Sequence, residues 1–395
     1  MKRVLVITSN IYTDSDANGI CTRNLVRELI ARGYEVFCIS EPARPQDAYR
    51  APAGLTIIDV DRPWYQTFRD RKDHGFLFKA VSLLRYGWTM FLYPDVYPRR
   101  TKEIAKAAAA LVEGEGVDLV LGLYRPYEAV AALLRLKGTY GPRLRCVSYH
   151  LDLLLSPNNG RLIRGYKVAR GRRAFQQELE TVDRVLLPET DGPRIPDEKV
   201  RYVGFPLYEK KQIVPCELDF RDDLIHIAYV GSLDGENRDP SFFLQTLGRI
   251  DELRGRVRVH FWGGITDAVR ETLGRYADLA EYHGVIANEH VSYLYQRSDF
   301  LLNVSNRNTP DMIPSKIYQM FASGRPILNC VADPGDKAKA IVDRYPLSFT
   351  LYEYRDNDLG ALRAFLTSPH EPPALGEDAF AASTPGYVAD RIVEP

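Results

Sequence analysis

The chain lacks most of the features that reveal a function at once. Its 395 residues include only five cysteines, Cys21, Cys38, Cys146, Cys216 and Cys330, which are scattered, odd in number and without CxxC spacing. Such spacing predicts mostly buried thiols and excludes a disulfide framework or a cysteine zinc site. Net charge is absent, because 52 basic residues balance 52 acidic ones. That excludes a nucleic-acid binder driven by bulk charge. No apolar run approaches the ~18 residues that a membrane-spanning helix needs. The opening Met1-Lys2-Arg3 and Val4-Leu5-Val6-Ile7 imitate a signal peptide. The apolar run is too short for one and no small-residue cleavage site follows, so a first β-strand is expected. These absences together point to the cytoplasm. Internal repeats, low-complexity segments and a GxGxxG dinucleotide fingerprint are also missing.

What is present is a globular composition, 45% apolar and 26% charged, on a chain long enough for two domains. Residues 4–8 read as a buried strand, 9–19 as a polar loop, 20–32 as a helix ending at Gly33, and 36–40 as a second strand. This is a βαβ unit and predicts a doubly wound α/β domain. The alternation continues with a helix over 102–113, a strand over 118–123, a helix over 127–137 and a strand over 145–149. A helix over 163–180 and a strand over 183–188 follow. Residues 200–206 read as a crossing into a second domain, with a polar linker over 209–219. Beyond it, strands are expected over 225–230, 257–262 and 300–304, and helices over 241–253, 291–297 and 337–343. A polar region closes the domain near residue 369, and 385–393 reads as a tail helix.

Two stretches in the first half bear on function. Residues 61–102 carry nine Lys/Arg against four Asp, with Trp64, Trp88, Phe68, Phe76, Phe78 and Phe91 interleaved. This pattern suits peripheral membrane contact or a lipid-linked acceptor, and equally a solvated helix face with its aromatics in the core. Asp14-Ser15-Asp16 spells DxD, but acidic residues are common turn formers, so no metal site is assigned to it.

The densest chemistry lies in residues 311–328, DMIPSKIYQMFASGRPIL. Pro314 suits the first turn of a helix, and Ile317, Met320 and Phe321 place one apolar stripe on it. Gly324 ends the helix, Arg325-Pro326 forbids its continuation, and Ile327-Leu328 starts a buried strand. A helix N-terminus carrying Lys316 is suited to a diphosphate. Asp311 and Gln319, eight positions apart, bracket that end with side chains able to bond hydroxyls.

This stretch resembles the donor-site signature of retaining GT-B glycosyltransferases, the glycosyl transferase group 1 or GT4-like family. Pro314-Ser315-Lys316-Ile317-Tyr318, Ala322, Gly324, Arg325 and Pro326 match its pattern. The family's two glutamates, eight positions apart, correspond here to Asp311 and Gln319. Asp311 reaches about one bond, ~1.5 Å, less far. Gln319 accepts through an amide oxygen and loses the charge-assisted bond, which is roughly twice as strong.

The resemblance implies two Rossmann-like, doubly wound domains facing each other across a cleft. Residues 1–205 would form the acceptor side, 206–375 the nucleotide-sugar side, and 376–395 a tail helix packing back on the first domain. It further implies Gly19, Gly231, Ser232, Arg238, Ile313, Ser315, Lys316 and Gln319 as donor-binding residues. Asn18, Tyr124, Arg125 and Asp152 fall on the acceptor side. His150 and Asp311 take the catalytic positions beside the donor sugar. The implied activity is retaining transfer of a sugar, with a UDP-sugar as the expected donor, to a glycan or lipid-linked acceptor in cell-surface polysaccharide or glycolipid assembly. No cofactor, metal or nucleic acid is expected. The implied location is the cytoplasm, with the inner face of the membrane a candidate. Glutamine at position 319 leaves open a non-catalytic nucleotide-sugar or partner-binding module, and a GT-B epimerase is the third alternative.

Overall fold

The computed structural model describes residues 2–13, 17–44, 47, 49–61, 91–124, 126–151, 161–189, 194–209, 213–218, 220, 221, 223–310, 313–373 and 380–394. Most of the 61–102 stretch, the DxD, Arg125, Asp152 and Asp311 lie outside the described residues. The chain divides into two compact units, Met1–Pro206 with Ala382–Pro395, and Leu207–Ala381.

Unit 1 alternates strands and helices: β1 Arg3–Ile7, α1 Ala17–Ala31, β2 Glu35–Ser40, β3 Leu55–Asp59, α2 Pro98–Gly114, β4 Leu119–Tyr124, α3 Tyr127–Tyr140, β5 Arg145–His150, α4 Arg161–Thr181, β6 Arg184–Pro188 and β7 Val200–Val203. The sheet order is β3-β2-β1-β4-β5-β6-β7, every pairing parallel. β1, β4 and β6 are almost wholly buried apolar runs, as a sheet covered by helices on both faces requires. The sequence expectation for residues 200–206 differs from this. Residues 200–203 pair in register with β6 and extend the first sheet before the chain leaves it.

Unit 2 comprises β8 Ile225–Val230, α5 Ser241–Gly248, β9 Val257–Trp262, α6 Asp267–Arg275, β10 Ala280–Tyr282, α7 Val291–Arg297, β11 Phe300–Val304, α8 Lys316–Ser323, β12 Ile327–Val331, α9 Lys337–Val342, β13 Ser348–Tyr352 and α10 Leu359–Thr367. Its order is β10-β9-β8-β11-β12-β13, again all parallel. The helix expected over 241–253 stops at Gly248, and a 3-10 turn, Asp251–Leu253, follows. The polar region expected near the end instead contains β13, a partly exposed edge strand, and α10, which Asp358 caps by accepting from Ala361 N. In both sheets the chain adds two strands on one side of the first strand and then crosses to its other side, so the switch points fall between β1 and β4 and between β8 and β11. In open α/β sheets ligands bind outside the carboxyl ends of the strands at such points.

The tail helix α11, Pro385–Val393, belongs to unit 1 and packs on α1 and β6. Val388, Ala389 and Ile392 are fully buried there. Arg145 and Arg184 donate to the carbonyls of Val393 and Arg391 at 2.8 and 2.9 Å. None of the five cysteines forms a disulfide, and four of them are buried. Among the described residues no helix is long and apolar enough to cross a membrane.

Candidate functional site

At the switch point of unit 2, β8 ends at Val230 and passes directly into Gly231. Gly231 holds φ +151°, which side-chain-bearing residues rarely adopt. A Cβ there would stand 2.9 Å from Lys316 Nζ and 3.1 Å from the Tyr229 hydroxyl. Lys316 opens α8 and lays its ammonium 3.9 Å over the Tyr229 ring, donating to Val230 O at 3.2 Å. The residue as a whole is half-buried, but its ammonium sits among dense neighbours. Burial first, and then the Arg238 charge, hold it well below the usual lysine range. Among the described residues no carboxylate balances it. Tyr229 donates to Ser232 O at 3.0 Å, and burial pushes its hydroxyl up to about 12 against the pull of Arg238.

Arg238 is positioned by the loop that follows Gly231. Asp234 Oδ1 accepts from the backbone N–H groups of Glu236, Asn237 and Arg238 at 3.0, 2.7 and 2.9 Å. Although burial opposes it, these donors and the Arg238 charge hold the Asp234 carboxyl below its ordinary value. Beyond the end of β11, Asn306 Oδ1 accepts from Arg238 Nε at 2.7 Å and from Asn237 Nδ2 at 3.1 Å. Arg307 clamps Asp239 at 3.0 Å and Glu353 at 2.8 Å. The two loops flanking the switch point are thereby tied together. The product is a pair of basic side chains, and the repulsion by which Arg238 helps to lower the Lys316 pKa would be relieved by one ligand carrying two negative charges.

The other donor-side residues distribute differently. Ser232 is exposed, and Ile313 and Ser315 are half-buried just ahead of α8. Gln319, one turn beyond Lys316, lines a cavity of about 270 Å³ with Glu209, Ile213, Tyr295, Gln296 and Ser323. Lys316 is not part of that lining. Sequence reasoning missed Tyr229, Asp234, Asn237 and Asn306. Asp234 and Arg238 carried a faint signal, an acidic turn residue four positions before a base.

In unit 1, Gly19 lies inside α1. A Cβ on it would meet Thr13 O at 2.7 Å and Asn10 O at 2.8 Å, so the glycine admits the preceding loop against the helix. Asn18 O accepts from Thr22 Oγ1 at 2.7 Å. Tyr124, at the carboxyl end of β4, is buried with its ring centroid 5.1 Å from that of His150. His150 is only 1% exposed, and its Nε2 meets Glu178 Oε1 at 2.8 Å. Phe175 covers another side of the ring. A histidine expected to bond a sugar hydroxyl is thus an interior member of a buried pair. Its partner Glu178 could not be read from the sequence, because it lies 28 residues away on α4.

No family model matches the chain, and no curated protein matches it in sequence. Solved structures do. Sucrose-phosphate synthase from Thermosynechococcus elongatus aligns over 99% of this chain and 94% of its own, at TM-score 0.60 and 13% identity. WaaG, a glycosyltransferase involved in lipopolysaccharide biosynthesis, aligns over 100% of both chains at TM-score 0.53 and 16% identity. MnaA of S. aureus, solved with UDP, covers 100% of this chain and 95% of its own at TM-score 0.52 and 14% identity. Two all-parallel α/β units, with whole-chain likeness to such structures, give this chain the GT-B glycosyltransferase fold.

Proposed function

We propose that the protein is a retaining glycosyltransferase that takes a sugar from a nucleotide-diphosphate donor, a UDP-sugar first among candidates, to a glycan or lipid-linked acceptor. The observation that carries this reading is the Lys316–Arg238 pair beside Gly231 at the switch point of unit 2. Lysine offers a compact charge and arginine a fork suited to phosphate oxygens, so together they fit a diphosphate. As the bond from sugar to diphosphate breaks, negative charge grows on the leaving oxygen, and fixed cations there stabilise the transition state more than the ground state. The acceptor hydroxyl attacks from the leaving-group face and the phosphate takes its proton. Asp311 positions the sugar without becoming a covalent nucleophile. UDP in the MnaA structure and the lipopolysaccharide role of WaaG support this choice of donor and pathway class.

Calorimetric titration with UDP, GDP and ADP tests the reading, on the wild type, Arg238→Ala and Gln319→Ala. Losing a charged phosphate contact should cost about 1.5–3 kcal/mol, and losing an amide bond about 1 kcal/mol. One nucleotide bound selectively, and weakened by Arg238→Ala, supports the donor site. Turnover of the matching nucleotide-sugar then separates transfer from binding alone, and isomerisation without acceptor would reassign the activity. Absence of binding by all three at millimolar concentration would remove the transferase reading.

A further inference from the structure

A second cluster in unit 2 lies at the β10 edge of the sheet and plays no part in the proposed transfer. His260 pairs with Glu281 across β9 and β10, and His226 stands two residues before the partner of His260 on β8. Side chains alternate along strands, so His226, His260, Trp262, Glu281 and His283 all emerge on one face. The three imidazoles form a chain. His226 Nε2 is 2.8 Å from Arg221 O, His226 Nδ1 is 2.8 Å from His260 Nε2, and His260 Nδ1 is 2.9 Å from His283 Nε2. Phe220 stacks on His226 and His260, and Trp262 stacks on His283.

Hydrogen-bond logic assigns the tautomers. A carbonyl only accepts, so His226 Nε2 carries the proton and its Nδ1 accepts from His260 Nε2–H. That leaves a lone pair on His260 Nδ1, aimed along the sheet toward the rim. There it faces His283, which is partly exposed, and Glu281, which is about half exposed, with Glu281 Oε2 3.9 Å away. One donor atom each from His260, Glu281 and His283 falls within a 4.8 Å span.

We propose that His260 Nδ1, His283 Nε2 and the Glu281 carboxylate form a site for a divalent late transition metal of the zinc class, fastening the short edge strand β10 to β9. Two imidazoles and a carboxylate are a donor set that zinc, cobalt and nickel accept and magnesium does not favour. Tetrahedral bonds of 2.0–2.1 Å place ligand atoms about 3.3 Å apart. The His260–His283 contact therefore opens slightly and Glu281 closes in, both within reach of partly exposed side chains. His283 shifts its proton from Nε2 to Nδ1, which already lies 3.9 Å from Glu281 Oε1. His226 and Arg221 O hold the ring of His260 from behind, the outer support that ligating histidines commonly have. This inference stands apart from the proposed transfer and uses none of its residues.

The test is titration of Co²⁺ and Zn²⁺ into the full chain carrying no polyhistidine tag, read by visible absorption and by thermal melting. Cobalt should show the intense visible bands of a four-coordinate ion, Zn²⁺ should compete them away, and melting should rise with Zn²⁺ but not with Mg²⁺. His283→Gln and Glu281→Gln change residues at the rim, so they retain the fold. Each should weaken cobalt binding at least tenfold. His260→Gln serves as a further variant, provided that it folds. A cobalt spectrum that stays six-coordinate, or binding that neither rim variant changes, overturns the proposal and leaves the cluster as stacked, hydrogen-bonded core.

Discussion

Gly231→Ala isolates the close approach of Lys316 to the carboxyl end of β8. The new methyl would stand 2.9 Å from Lys316 Nζ and 3.1 Å from the Tyr229 hydroxyl, against ordinary contacts of about 3.5–4.0 Å. Tyr229 cannot yield easily, because it is buried and bonded to Ser232 O. Lys316 is the mobile partner and must leave its place over the ring. A backbone in this glycine-favouring region adds about 1–3 kcal/mol for any other residue. Stability should therefore fall by about 2–3 kcal/mol, at roughly 2–4 °C per kcal/mol for a domain of this size. If Lys316 also loses its place against a diphosphate, UDP affinity falls by about 1.5–3 kcal/mol, roughly 10- to 150-fold. Gly264→Ala is the control, since its nearest neighbour would be Ser232 Oγ at 3.8 Å. Calorimetry with UDP and thermal melting read both effects. A Gly231→Ala protein that melts lower yet binds UDP like the wild type would refute the link between this glycine, Lys316 and the diphosphate.

Three further outcomes are expected. Because the Lys316 pKa is lowered on folding, the unfolded chain binds more protons between that lowered value and about 10.4, so stability should rise with pH across that window. Urea unfolding of Lys316→Met should lack this rise, and an identical slope would count against the lowered Lys316 pKa. His150→Ala would leave Glu178, fully buried and with Oε2 already lacking a partner among the described residues, without its 2.8 Å contact. A loss of about 3–5 kcal/mol is expected, whereas less than about 1 kcal/mol with turnover abolished would return His150 to a sugar-binding role. Ile392→Ala, at a fully buried position of α11, should cost about 2–5 kcal/mol in denaturant unfolding. UDP titration should be unchanged by it, and a loss of affinity would show that the tail helix serves the nucleotide site.

Much of the architecture was legible in the sequence because its signals are local. The apolar stripe of residues 317, 320 and 321 matches α8, Gly324 ends it at φ 73°, and residues 327–331 form β12. Alternating buried strands and helices carried the α/β class in the same way. The edge strands and the short helices α6 and α10 were the exceptions. β3 and β13 are partly exposed, and a partly exposed short strand has nearly the composition of a loop.

What tertiary structure alone decided was which residues meet. Lys316 reaches Val230 across 86 positions and Arg238 reaches Asn306 across 68. His260 meets His283 across 23. Parallel strands must be joined by crossovers, so side chains that share one sheet end or one sheet face come from distant parts of the chain. The direction of a side chain is equally invisible in one dimension. His150 stands at a strand's carboxyl end, where a ligand contact was expected, and only the packing of α4 shows its ring turned inward to Glu178. The sequence by itself determined the elements and the chemical groups they carry. Strand order, register and rotamer determined which of those groups become a site, because they set distance and burial, and on these charge and hydrogen bonding depend.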